Sequence, residues 1–123
     1  AASMAFEVLK ERYPNNEITR RVGTALGESY YQQGKYEQAI EALQTALPYL
    51  GDESLSKAIF LIGESQNYLG LYDEASKTYL RYINLTKDTP EERIAHYGLG
   101  WVYHKQEIYH WAAESFGRAS VGE

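Results

Sequence analysis

Residues 27–43 read GESYYQQGKYEQAIEAL, and the order of small and aromatic residues in that stretch decides the fold. Leu26-Gly27 opens a polar-aromatic run and Gly34 interrupts it. Tyr36 follows two residues later, Ala39 three beyond that, and Leu43 after four more. Residues 63–79, GESQNYLGLYDEASKTY, repeat the order with Ile62-Gly63, Gly70, Tyr72, Ala75 and Tyr79. Residues 100–116, GWVYHKQEIYHWAAESF, repeat it again with Leu99-Gly100, Glu107, Tyr109, Ala112 and Phe116. Successive alanines at 39, 75 and 112 are 36 and 37 residues apart, the length of a helical hairpin with two turns.

Outward from these blocks the helix signals agree. Thr89-Pro90-Glu91-Glu92 reads as an N-cap threonine, a proline at the first helical position and a glutamate reaching back, the capping box that opens a helix. Asn16 before Glu17 and Asp52 before Glu53 offer similar starts. Gly34 and Gly70 stand where helices stop, since glycine enters the left-handed region without steric cost. The spacing predicts first helices over 17–33, 53–69 and 90–106 and second helices over 36–49, 72–86 and 109–119. Connections this short make neighbours antiparallel, and Pro48 ends or bends the last turn of its helix.

Five glycines, Gly23, Gly27, Gly63, Gly98 and Gly100, fall inside the expected first helices. Each costs about 1 kcal/mol relative to alanine, so close helix approach must compensate. The aromatics expected to lie over them are Tyr30, Tyr36, Tyr72, Tyr103 and Tyr109, with Ala39, Ala75 and Ala112 facing the same contact.

This grammar resembles the tetratricopeptide repeat family, which pairs Leu-Gly and Tyr in a first helix with Ala, a large apolar residue and Ala in a second. The matches are Leu26, Gly27, Tyr30, Ala39, Leu43 and Ala46, and again Leu99, Gly100, Tyr103, Ala112, Phe116 and Ala119. The departures are Gly23 and His96 at the first anchor position, Gln66 for the Tyr and Tyr82 for an Ala in the second repeat, and Glu107 for the stop glycine. What the resemblance implies is an all-α fold, a right-handed superhelical stack of antiparallel hairpins over residues 1–123. Repeats are expected at 17–51, 52–88 and 89–121, after a partial repeat whose second helix spans 5–13 with Phe6, Leu9 and Tyr13 at helical spacing. With no polar cap after Ala119, the expectation is an excised piece of a longer protein or an end that pairs with another copy. The Tyr13-Pro14-Asn15-Asn16-Glu17 linker and the period also resemble bacterial cell-envelope members of the family, the TolA-binding and outer-membrane-assembly types, which favours a periplasmic setting over a cytoplasmic one.

Composition narrows the function classes. The chain has 123 residues, 44% hydrophobic and 24% charged, enough to bury a core as one domain. A net charge of −5 argues against nucleic acid, whose affinity rests on clustered Lys and Arg. The absence of Cys removes disulfides, thiolate metal sites and a cysteine nucleophile. No apolar run approaches the roughly 20 residues of a membrane span, so no direct insertion is expected in this segment. His96 and His104 are about 12 Å apart along a helix, too far to share a zinc ion. The Gly98-Leu99-Gly100 stretch lacks the third glycine and the preceding strand of a dinucleotide loop. No catalytic, metal or cofactor site is expected, and the chain reads as a non-enzyme.

The resemblance implies that first helices line a concave groove. Projecting its exposed stripe onto this sequence selects Arg21, Thr24, Glu28, Tyr31 and Gln32; Lys57, Phe60, Glu64, Asn67 and Tyr68; and Ile94, Tyr97, Trp101, His104 and Lys105. Phe60, Glu64 and Tyr68 are four apart and share a helix face, as do Tyr97, Trp101 and Lys105. Aromatics that the repeat core does not need, gathered with mixed charge, read as anchors for a polypeptide; the alternative is that they fill the groove against one another or against a neighbouring helix of a longer protein. Chaperone-binding members of the family grip a terminal carboxylate with Lys, Asn and Arg, whose places here hold Thr24, Glu28, Leu61, Ile94 and Gly98. The expected partner is therefore an uncharged or mixed-charge segment of another protein, docked as a helix or an extended strand. The alternative is a structural unit that builds a homo-oligomer through its exposed ends.

Overall fold

Each hairpin is closed by one tight turn, used three times. Gly34 and Gly70 have φ of 76° and 78°, and Glu107 takes the same left-handed conformation at 64°. In each turn the residue after it donates back to the helix: Lys35 N–H to the Tyr30 carbonyl, Leu71 to Gln66 and Ile108 to Tyr103, all at 2.9 Å. The glycine or its replacement donates to the carbonyl three residues earlier, at 3.0 to 3.1 Å. That pair of bonds satisfies carbonyls the helix end leaves open. Glu107 keeps the geometry although its side chain makes the conformation unfavourable. Beside it, Gln106 donates from Nε2 to Asp73 Oδ1 at 2.6 Å and ties the turn to the preceding repeat.

The computed structural model describes residues 2–120, with side chains from residue 4. Ala1 and residues 121–123 lie outside it, and with them the expected end of the third repeat at Val121. The described residues form seven α-helices: α1 (Ala2–Arg12), α2 (Glu17–Gln32), α3 (Tyr36–Ala46), α4 (Asp52–Tyr68), α5 (Tyr72–Leu85), α6 (Glu92–Lys105) and α7 (Tyr109–Ser120). A single 3-10 turn, Leu47–Tyr49, follows α3 at Pro48. Helices pair as α2 with α3, α4 with α5 and α6 with α7, and α3 packs on α4 and α5 on α6 to continue the stack. This is a tetratricopeptide-type solenoid.

Helix starts differ from expectation at three places, the first being α1, which begins at Ala2 rather than at residue 5. Asn16 caps α2 as read, its side chain accepting from Ile18 N–H at 2.8 Å. At α4 the cap is the extended Gly51, and Asp52 is already helical, where its charge favours the positive end of the helix dipole. The expected start of α6 near Pro90 also moves. The Thr89 hydroxyl donates to the Thr86 carbonyl at 2.6 Å, and the N-cap residue of α6 is Glu91, which makes no side-chain capping bond. Glu92 reaches back instead to Asp88 N–H at 3.0 Å, across a turn in which Asp88 has φ of 66°.

The core corrects the aromatic assignment. The residues lying over the helix glycines are Phe6, Leu43, Tyr79 and Phe116, not Tyr30, Tyr36, Tyr72, Tyr103 and Tyr109. The reason is direction: the large residue four beyond each second-helix alanine points back at the first helix of its own hairpin. Leu43 covers Gly27, and a Cβ at Gly100 would come within 2.6 Å of the Phe116 ring. Tyr79 lies between two repeats, 3.2 Å from a Cβ at Gly63 of α4 and 2.8 Å from one at Gly98 of α6. Ala39, Ala75, Ala95 and Val102 are completely buried in these contacts.

The sequence departures are accommodated one by one. The space at Gly23 is filled by the Phe6 ring from α1 and the Ala46 methyl. Gln66 is buried, and its Oε1 accepts from Thr78 Oγ1 at 2.6 Å. Tyr82 is buried against Phe60, with ring centroids 5.1 Å apart. Tyr13, expected on the apolar stripe of the first helix, lies just past its end and is exposed, its carbonyl accepting from Thr19 Oγ1 at 2.7 Å.

Candidate functional site

First helices α2, α4 and α6 carry most of the projected groove residues, and the structure sorts these into three groups. At the start of the stack, Arg21 and Glu28 line a polar recess of about 480 Å³ shared with Arg20, Thr24, Leu50 and Ser54. Arg21 pairs with Glu17 within its helix at 2.8 Å. Lys57 of α4 crosses to Glu28 of α2 at 3.0 Å. Both pairs are largely solvent-exposed and contribute at most a fraction of a kcal/mol, by the usual worth of about 0.2–1 kcal/mol. Their effect is to neutralise charge along this part of the wall.

The middle group is aromatic. Tyr68, 64% exposed, stacks on Tyr36 at 4.7 Å with ring planes 6° apart. Tyr31 meets both rings edge-on, 5.8 Å from Tyr36 and 6.4 Å from Tyr68. Beneath them the buried Tyr79 passes its hydroxyl through the hairpin and donates to Glu64 Oε1 at 2.7 Å. Loss of solvent holds the Tyr31 phenol up, to about 12, with the Glu64 charge and the neighbouring Tyr68 and Tyr36 adding to the shift. The Tyr79 phenol is raised by its burial first and by Glu64 second. The middle of the wall thus sets a half-buried carboxylate beside the half-buried Tyr31 and the exposed Tyr68.

At the far end Tyr97 and Trp101 meet edge-on at 6.4 Å, and both touch Phe116 of α7, at 6.0 and 5.3 Å. His104 packs beside Trp101 at 5.6 Å and Tyr109 at 5.4 Å. Tyr97 and Ile94 also line a recess of about 450 Å³ with Arg93, Phe116, Ala119 and Ser120. Lys105 is exposed near this group.

Phe60 stands apart from the other projected residues. It is half-buried, and its ring packs on Tyr79 and Tyr82 rather than facing open space. Three residues that join the groups were outside the projection: Tyr36, Tyr79 and Phe116. All three belong to second helices, whereas the projection took side chains from first helices. Tyr36 was legible as the residue restarting a helix beside the end of α2, but its stacking on Tyr68 needs the placement of α4.

Among the described residues no three His, Asp or Glu side chains are grouped to hold a metal ion. No helix among them is long and apolar enough to cross a membrane. His96 is buried, with Nε2 3.4 Å from Glu92 Oε1 and Nδ1 without a partner in the structure. The backbone bond from Asp88 and the approach of His96 hold the Glu92 carboxyl below the usual range.

Two tetratricopeptide repeat profiles match the chain, one over residues 24–47 and one over residues 60–123, the second covering more than half of it. Curated proteins provide no match. Similar solved structures include MamA AMB-1, with a TM-score of 0.75 and 24% identity over 93% of this chain. MamA MSR-1 gives 0.74 and 24% over 96% of this chain. A Rap protein complexed with competence and sporulation factor gives 0.73 and 18% over 96%. The chain spans 58% and 65% of the two MamA chains and 34% of the Rap chain.

Proposed function

The chain belongs to the tetratricopeptide repeat family, and from that premise we propose that its inner face binds a peptide segment of a partner protein. Repeats of this family are generally non-enzymatic protein-interaction modules, which makes a protein the partner class. The observation that carries the groove reading is a surplus of rings. Tyr68, Tyr97 and Trp101 are 64%, 57% and 43% exposed on first helices while the core between the helices is filled by other residues. Exposed aromatics held by neighbouring rings lose little conformational freedom on binding, which is why such residues dominate interface energies. A protein of the same fold, the Rap protein, has been solved with competence and sporulation factor, which supports a ligand-binding role for such a scaffold.

The test is replacement of Tyr68 and Trp101 together by Ala, followed by capture of proteins from an extract. Both side chains are exposed, so the helical signal in circular dichroism should persist. Loss of specific captured proteins is expected; an unchanged set, with the fold intact, removes this face as the binding site.

One observation favours a second reading, self-assembly. Ile94 and Tyr97 are 55% and 57% exposed around the recess that includes Phe116. An exposed apolar patch is a natural contact for another copy. Sedimentation over a wide concentration range decides it: a monomer throughout rules out the oligomer.

A further inference from the structure

Glu64 differs from the other acidic group projected onto the inner wall. Glu28 is matched by Lys57 at 3.0 Å. Glu64 is half-buried on α4 and holds the Tyr79 hydroxyl at 2.7 Å, yet among the described residues no Lys, Arg or His forms an ion pair with it. Its next-turn neighbour is Tyr68, whose ring is open to solvent, and Tyr31 approaches from α2. A carboxylate has about four acceptor positions; the Tyr79 hydroxyl takes one and the Tyr31 phenol also bonds this group, which leaves further positions open. A cation placed there would make charge-assisted bonds to the open positions.

We propose that the peptide bound in the groove inserts an arginine side chain here, its guanidinium paired with Glu64 and stacked on the exposed face of Tyr68. The inference rests on the groove reading above and specifies its partner. Ring faces carry negative charge and attract a cation lying over them, so Tyr68 and Glu64 act on the same group. Arginine fits better than lysine because its fork can use two carboxylate positions while its flat, weakly hydrated plane stacks on a ring. A terminal carboxylate would meet repulsion at this point.

Selection from a random peptide display library against the parent protein tests this. The expected result is enrichment of arginine-containing peptides. Resynthesis of one with citrulline, the neutral isostere, should weaken binding about tenfold on the parent and hardly at all on Glu64→Gln. Glutamine keeps an acceptor for the Tyr79 hydroxyl, so the variant should fold; if it does not, Tyr68→Ala replaces it in the same comparison. Enriched peptides without a preference for arginine, whose binding still falls in the Tyr68 and Trp101 double variant, overturn the cation site and leave the groove reading standing. The same holds if citrulline binds as well as arginine. Failure to enrich any peptide sensitive to that double variant overturns both.

Discussion

The Tyr79 hydroxyl donates to Glu64 Oε1 at 2.7 Å, and through that bond the middle of the core is joined to the inner wall. The ring lies between Gly63 and Gly98, so one side chain touches two consecutive repeats and a candidate ligand contact. Tyr79→Phe keeps the ring and removes the bond. A hydrogen bond to a charged acceptor contributes about 1.5–3 kcal/mol, so urea unfolding should show a loss near the lower end of that range. Tyr79→Ala also leaves a cavity and should cost about 3–5 kcal/mol. A phenylalanine variant as stable as the parent would show that the bond adds nothing.

The turn at Glu107 makes an opposite prediction. Its φ of 64° matches that of Gly34 and Gly70, but it carries a side chain that this region disfavours. Glu107→Gly should therefore stabilise by about 1 kcal/mol, and Gly34→Ala should destabilise by a similar amount. Thermal unfolding of the two variants reads both signs.

Two helix glycines should respond differently to the same substitution. A Cβ at Gly98 would stand 2.8 Å from Tyr79 Cζ, and that ring is already held by Gly63 on its other side. Overpacking of about 1–3 kcal/mol then equals or exceeds the propensity gain of about 1 kcal/mol, so Gly98→Ala should not stabilise and should usually cost. At Gly117 of α7 a Cβ meets nothing within 4 Å, so Gly117→Ala should stabilise by up to about 1 kcal/mol. Denaturant midpoints that move together would contradict the packing account.

Alkaline titration probes the inner wall. The folded Tyr31 phenol is raised to about 12, above the ordinary 10.0, so the folded state favours its protonated form. This contribution to stability is complete below pH 10 and is lost as pH rises through about 12. The absorbance change of phenol ionisation should lose a component near that upper value in Tyr31→Phe. In Glu64→Gln the component should move down without reaching 10, since burial is the larger cause of the shift. A Tyr31 that ionises near 10 in the parent would show that neither its burial nor the Glu64 charge acts on it.

Much of this was legible because it is local. Gly34 and Gly70 announced the turns, since few other residues take that conformation cheaply, and Asn16 announced its cap. The start of α6 lies at Glu92, two residues later than read, because residues 86–91 form a turn closed by Thr89 N–H on the Thr86 carbonyl and by Asp88 N–H on the Glu92 carboxylate. Phe60 was placed in the groove by projecting the exposed stripe that the family resemblance implies, whereas its ring packs on Tyr82 with centroids 5.1 Å apart, a contact between helices that the projection does not contain. Ring contacts across repeats carry no signal at short spacing.

What the chain determined by itself is therefore the repeat: helix, turn, helix, at a spacing of 36 and 37 residues, from propensities and small residues that act over a few positions. What only the tertiary structure decided is which side chains meet across hairpins: Tyr79 between Gly63 and Gly98, Tyr36 on Tyr68, Glu64 without a cation among the described residues. Those contacts depend on how far one helix pair is rotated and shifted on the next. That displacement is set by the summed packing of whole faces, and no single residue in the chain records it.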